Sequence, residues 1–204
     1  MRQHVNPLSK NFNKTEFIPP LSVIYDNPNL PLHLDIGCAG GHFLYNLALE
    51  NRNWNYMGIE IRQKLINNAK LGIDNMENRN LYFVYGNANN ILRNSHFKFI
   101  VNHTNSISFN FPDPWFKKRH QKRRVIQPEL ISILSNSMRK GSLIYIKTDV
   151  KDLFDYMDLT ISKDINFKQL QNNVVDCKKN FNPSKLQTNR EKYVTIKELN
   201  VYEK

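Results

Sequence analysis

The chain has 204 residues, enough for one domain with its own hydrophobic core. It carries 29 Lys and Arg against 18 Asp and Glu, a net charge of +11 and a pI near 9.6, so a polyanion is the expected partner: nucleic acid first, an anionic membrane surface second. No apolar run reaches the length of a membrane span, and the polar, basic opening MRQHVNPLSKNFNK has no apolar signal region.

Residues 1–30 read as a basic arm and 31–204 as a single domain without repeats or a long linker. From residue 31, short apolar runs alternate with segments of helical periodicity. PLHLDIG (31–37) predicts a buried strand and GGHFLYNLALEN (40–51) a helix. NYMGIEI (55–61) and RQKLINNAKLGIDNM (62–76) repeat that pairing, then LYFVYGNA (81–88) and ISFNFPDP (107–114) predict strands three and four. QPELISILSNSMRKG (127–141) predicts a helix stopped at its lysine and glycine. GSLIYIKTD (141–149) is a fifth strand and VKDLFDYMDLTISK (150–163) a further helix. INFKQL (165–170) and YVTIKELNVY (193–202) predict a terminal antiparallel pair at one edge. The fold class is therefore α/β, a mostly parallel sheet with helices on both faces, whose ligands bind at the carboxyl ends of the strands.

The first such end is LDIGCAGGHF (34–43), strand, glycine turn and helix. Gly37 lets the chain turn tightly, Gly40 and Gly41 open the helix with N–H groups facing a ligand, and Asp35 can meet a positive charge or a hydroxyl. Ala39 stands where the dinucleotide fingerprint G-x-G-x-x-G needs its second glycine, which disfavours an NAD-linked oxidoreductase. The loop resembles the acid-x-Gly-x-Gly-x-Gly turn of class I S-adenosylmethionine-dependent methyltransferases, a Rossmann-like fold; a glycine-softened turn without a ligand uses the same residues. Glu60 ends the second strand about 20 residues on, where an acid can hold both ribose hydroxyls of a nucleoside. Asn87, after the third strand, can meet an adenine amino group or serve as a turn residue.

The fourth strand runs into FNFPDPWFKKRHQKRR (109–124). Prolines on both sides of Asp113 fix the backbone and remove two N–H donors, so its carboxylate is displayed from a stiff turn. Trp115 and a cationic run from Lys117 to Arg124 follow. Trp115 can stack on a base or pack against the sheet, and the run suits nucleic-acid phosphates, with Arg2, Lys10 and Lys14 of the arm extending the footprint.

In order and spacing, DIGCAGG, GIE, FPDPWFKKRHQKRRV and IKTD resemble the bacterial and plastid-type tRNA (guanine-N7)-methyltransferase family, and RQHVNPLS is similar to cyanobacterial and plastid members. The resemblance covers nearly the whole chain. It implies methyl transfer from S-adenosylmethionine to N7 of the variable-loop guanine of tRNA. It further implies cofactor contacts from Asp35, Gly37, Glu60, Asn87 and Asp113, with Asp113 the catalytic aspartate. Lys117, Asp149 and the TNRE element (Thr188, Asn189, Arg190 and Glu191) would contact the target nucleotide. The chain departs from the family at Asn87, often an acid, and at Arg190, commonly aromatic.

Guanine N7 has a free lone pair, so Asp113 is expected to orient the base and stabilise developing charge rather than to act as a base. No metal is expected, since transfer from a sulfonium needs none and the six histidines show no metal-like grouping; His33 and His42 read as packing or surface residues. Cys38 and Cys177 match no metal or redox spacing, which suits a reducing compartment, the bacterial cytoplasm or a plastid stroma. Two alternatives stay open: a methyltransferase for another nucleic-acid base, and a non-catalytic RNA-binding relative of the fold.

Overall fold

The computed structural model describes residues 5–13, 16–73, 76–170 and 181–204, so Arg2, Lys14 and Cys177 lie outside the described residues. The predicted strands form as β1 (Leu32–Ile36), β2 (Asn55–Glu60), β3 (Leu81–Tyr85), β4 (Thr104–Asn110) and β5 (Leu143–Thr148), joined by a short β6 (Tyr202–Glu203). They make one sheet in the order β3-β2-β1-β4-β5-β6, parallel throughout except that β5 and β6 pair antiparallel. The predicted helices form as α2 (His42–Glu50), α3 (Gln63–Ile73), α6 (Pro128–Ser137) and α7 (Lys151–Ser162). Four more helices were not foreseen: α1 (Leu21–Ile24), α4 (Ala88–Arg93) and α5 (Lys98–His103), and α8 (Asn189–Ile196).

The strand sequences alternate, and the two faces of the sheet differ accordingly. Leu32, Leu34 and Ile36 of β1, with Ile107 and Phe109 of β4, join a core completed by Leu130, Ile131 and Leu134 of α6 and Leu153 and Met157 of α7. On the opposite face, Tyr56 and Phe83 pack with Leu44, Leu47 and Ala48 of α2, Ile66 and Ala69 of α3, and Trp54 and Phe181. Beneath the chain that leads into α8, that second face turns polar, presenting His33, Asp35, Ser106, Ser108 and Lys147, all buried.

Three boundaries differ from expectation. Residues 165–170 are not a strand: Ile165 is 89% exposed and only Phe167 packs against the core, so the run has no alternating buried face. Residues 193–196 end α8 instead of starting a strand, because Thr188 and Glu191 form a capping box that nucleates the helix. The antiparallel edge survives as Tyr202 and Glu203 against Thr148 and Lys147. Helix α6 stops at Ser137, ahead of Lys140, and Gly141, at φ 80°, turns the chain toward β5. Among the described residues no helix is long and apolar enough to cross a membrane.

Candidate active site

The chain leaves β1 for β2 on one side and later returns to β4 on the other, so a crevice opens above their carboxyl ends. Two adjoining cavities lie there. One, of about 320 Å³, runs from Gly37 and Glu60 past Asn87 to Asp113, with Val5, Pro7 and Leu8 of the N-terminal segment over it. The other, of about 260 Å³, lies between the glycine turn, Asp113 and Thr188–Arg190. Gly37, Arg62, Asn110, Phe111 and Asp113 border both.

The glycine turn is tightly held. Gly37 and Cys38 donate to Ile59 O at 2.8 and 3.2 Å, and Gly41 N–H closes back onto Cys38 O at 3.0 Å. The Gly41 amide therefore turns inward, contrary to expectation, because the turn itself needs it. A side chain at Gly41 is excluded twice, by its φ of 76° and by Phe83, whose Cζ would lie 2.3 Å from an added Cβ.

Glu60 is 3% exposed and both its oxygens are engaged. Oε2 accepts from Ala39 N–H at 3.0 Å, Oε1 from Arg62 N–H at 2.9 Å, and the Arg62 guanidinium spans both oxygens at 2.9 Å each. Arg62 has no signal in local sequence; only the turn after β2 brings it there. The Arg62 pKa is raised, first by the hydrogen bonds to Glu60 and also by the charges of Glu60 and Asp113.

Asp35 accepts from Ser108 Oγ at 2.5 Å and Asn110 Nδ2 at 3.1 Å. Burial pushes its pKa up to about 6, against the pull of those two bonds. Asn87 caps α4, its Oδ1 accepting from Asn89 N–H at 3.0 Å, while its Nδ2 donates to Pro7 O at 2.9 Å. Asn90 likewise holds Phe12 O at 2.7 Å, so the arm is moored across the crevice by asparagine amides.

The Pro-Asp-Pro turn leaves β4 through Phe111 at φ 49° and re-enters a left-handed conformation at Trp115, φ 45°. Trp115 turns back into its own loop, with Arg123 5.0 Å over its ring and His120 edge-on at 5.9 Å, while Phe116 is 71% exposed. Arg124 is buried: it donates to Pro114 O at 2.9 Å and stacks 4.4 Å over Tyr156 of α7. The cationic run is thus divided. Arg123 and Arg124 brace the loop, and Lys117, Lys118, Arg119 and Lys122 face outward.

The C-terminal element reaches the same crevice. Thr188, Asn189 and Arg190 border the second cavity, and Arg190 is ion-paired with Asp149. Glu191 lies inward, 3.0 Å from Lys147 Nζ, and Lys147 also meets Glu203 at 2.8 Å, so this buried lysine ties α8 and β6 to β5.

Comparison with known proteins finds relatives along the whole chain. The methyltransferase family described as "Putative methyltransferase" matches residues 29–204. A tRNA (guanine-N(7)-)-methyltransferase of Prochlorococcus marinus subsp. pastoris (strain CCMP1986 / NIES-2087 / MED4) is 63% identical over 203 residues, covering 100% of this chain and 97% of that protein. Proteins of the same name from Synechococcus elongatus (strain ATCC 33912 / PCC 7942 / FACHB-805) and Synechococcus sp. (strain CC9902) are 39% and 37% identical, over 99% of this chain and 93% and 85% of their own lengths. Identity of that extent, across a chain whose glycine turn, strand-end acids and proline-braced aspartate meet in one crevice, makes this protein a member of the tRNA (guanine-N7)-methyltransferase family.

Proposed function

We propose that this chain transfers the methyl group of S-adenosylmethionine to N7 of the variable-loop guanine of cytoplasmic tRNA. The observation that carries the reading is Asp113, set between two prolines and bordering both cavities, with outward-facing cations beside it.

The residues fit the methyl donor. The Arg62 guanidinium offers Glu60 two parallel N–H donors where a ribose would offer two hydroxyls. Glu60 therefore has the acceptor geometry for a diol once Arg62 swings aside. Gly37 and Asp35 would border the amino-acid end, and Asn87 the base, its Oδ1 keeping a second lone pair for an amino group. When bound, the donor supplies an electrophilic methyl on a sulfonium.

The chain's own groups then act on the guanine. Asp113 would accept from the N–H edge of the base, orient N7 for in-line attack, and stabilise the positive charge that appears on the ring. No proton leaves N7, so no general base is required of it. Asp149, Arg190, Thr188 and Asn189 would close the far wall, with Glu191 setting the helix that carries them. Lys117, Lys118, Arg119 and Lys122, with Lys10 of the arm, would neutralise phosphates. Phe116 would present the exposed aromatic face to an unstacked base, while Trp115 borders the first cavity.

The test is methyl incorporation from labelled S-adenosylmethionine into unmodified tRNA carrying guanine or adenine at the variable-loop position. Transfer to the guanine form alone, cleavable by chemistry specific to N7-methylguanine, is the expected result. Asp113→Ala should lower kcat by at least about 100-fold while tRNA binding persists. Equal loss of both would make the turn structural, and cofactor binding without transfer to either tRNA would point to an RNA-binding relative.

A further inference from the structure

Beneath the glycine turn lies a line of buried polar groups, of which the methyl-transfer reading gives a role to Asp35 alone. His33 and Asp35 share a face of β1, and the pairing with β4 sets Ser106 opposite His33 and Ser108 opposite Asp35. His33 and Ser106 are fully buried, and Ser108 and Asp35 are 1% and 3% exposed. Ser106 Oγ lies 2.7 Å from His33 Nδ1, His33 Nε2 lies 3.1 Å from Ser108 Oγ, and Ser108 Oγ lies 2.5 Å from Asp35 Oδ1. The ring is held between Phe181, 5.3 Å away, and Tyr56, 6.2 Å away.

Counting protons leaves one arrangement. An ionised carboxylate only accepts, so Ser108 directs its single proton to Asp35 Oδ1. Ser108 Oγ then meets His33 as an acceptor, which places the ring proton on Nε2. Burial keeps the imidazole neutral, so Nδ1 carries no proton and accepts from Ser106. Asn110 Nδ2 also donates to Oδ1. Both donors converge on Oδ1, and Asp35 borders the second cavity, so Oδ2 is the oxygen left to meet a ligand there.

We propose that His33 is a positioning residue for the cofactor-site carboxylate: its Nε2–H orients the Ser108 hydroxyl, which locks Asp35 Oδ1 and keeps Oδ2 presented to the ligand. The inference rests on the assignment of Asp35 to the methyl donor's site. Protonation of Asp35 falls on Oδ2, since Oδ1 is filled, and turns an acceptor for a cation into a donor. The charge that raises this acid is Glu60 from β2; the Cys38 thiol of the turn, itself pushed up by burial, lies beside it, and Arg62, Asp113, Arg190 and His42 border the same cavity. Tyr56 of β2 is the titratable group facing His33, and burial pushes its hydroxyl up too.

Two measurements decide it. Nitrogen NMR on the full chain labelled with 15N-histidine, with His33→Gln to assign the signal, should show the neutral Nε2–H tautomer in the ligand-free protein. A proton on Nδ1, or an imidazolium, overturns the proposal. Calorimetric titration with S-adenosylhomocysteine from pH 5 to 8 should show His33→Phe and Ser108→Ala weakening binding about threefold to tenfold at pH 7, with the acid limb moved to higher pH. His33→Gln, whose amide can still offer Ser108 an N–H, should restore most of the affinity. Folded variants with unchanged affinity and an unmoved limb overturn it. Asp35→Asn separates the two readings: wild-type affinity there would remove Asp35 from the site and sink the premise, whatever the tautomer.

Discussion

Ala39 holds φ at 51° between Gly37 and Gly41, a left-handed conformation that costs a side chain with a Cβ roughly 1–2 kcal/mol. It is the one member of the turn that departs from the glycine spacing of class I methyltransferases. Ala39→Gly relieves the strain and adds some unfolded-state entropy, so a net gain of about 0.5–1 kcal/mol is expected. Thermal unfolding should show Tm about 2 °C higher, and an unchanged or lower Tm would mean that the alanine methyl packs usefully. Phe111 and Trp115 carry similar strain at the two ends of the Pro-Asp-Pro turn. There the strain has a use: it throws Trp115 inward and Phe116 outward on either side of the carboxylate loop.

The basic loop shows how one element can hold two kinds of cation. Arg124 clamps Pro114 O and lies on Tyr156, fastening the loop to α7, whereas Lys118 has a fully outward position. Arg124→Ala leaves a buried carbonyl without its donor, about 1–3 kcal/mol, so Tm should fall by several degrees. Lys118→Ala should leave Tm alone and reduce the slope of log Kd for tRNA against log salt by about 1. Phe116→Ala, which removes no charge, should weaken tRNA binding about fivefold or more at an unchanged slope. Thermal unfolding reads the first, and filter binding across a salt series distinguishes the other two. A Phe116→Ala variant that binds as tightly as the natural chain would return the stacking role to no residue in this loop.

Across the whole molecule, the two faces of one sheet have different tasks, and pH reports on the polar one. The His33 ring stays neutral in the fold down to about pH 3, because burial disfavours its charge, yet it takes a proton near 6.5 when unfolded. Its contribution to stability is fully present above pH 6.5 and is lost as pH falls toward 3. Asp35 runs the other way, since burial raises its pKa from 3.8 to about 6: its contribution is greatest below pH 3.8 and fades as pH rises through 6. His33 has the wider gap and outweighs it. The Tm of His33→Phe relative to the natural chain should therefore rise as pH is lowered from 7 to 4, measured by scanning calorimetry at both. A constant difference would mean that His33 does not take up the unfolding proton.

What could be read from sequence was what short-range rules encode. The alternation LHLDI and SISFN predicts strands, the ends of those strands point to Asp35, Glu60 and Asp113, and two flanking prolines stiffen the loop through their own rings. These depend on dihedral preference and period, which a few adjacent residues determine. The antiparallel edge formed, but its strand bounds were misread, because a capping box at Thr188 outweighed a β-branched run. The partnerships came from the folded path of the chain. Arg62 reaches Glu60 across two residues and Arg124 reaches Pro114 across ten, through turns whose course the packed sheet sets, while Asn87 moors Pro7 from 80 residues away. His33 is the clearest case, a histidine that reads as packing until β4 lays Ser106 and Ser108 beside it from more than 70 residues away. Cross-strand register is set by the order of strands in the whole sheet, and no local stretch of this chain contains it.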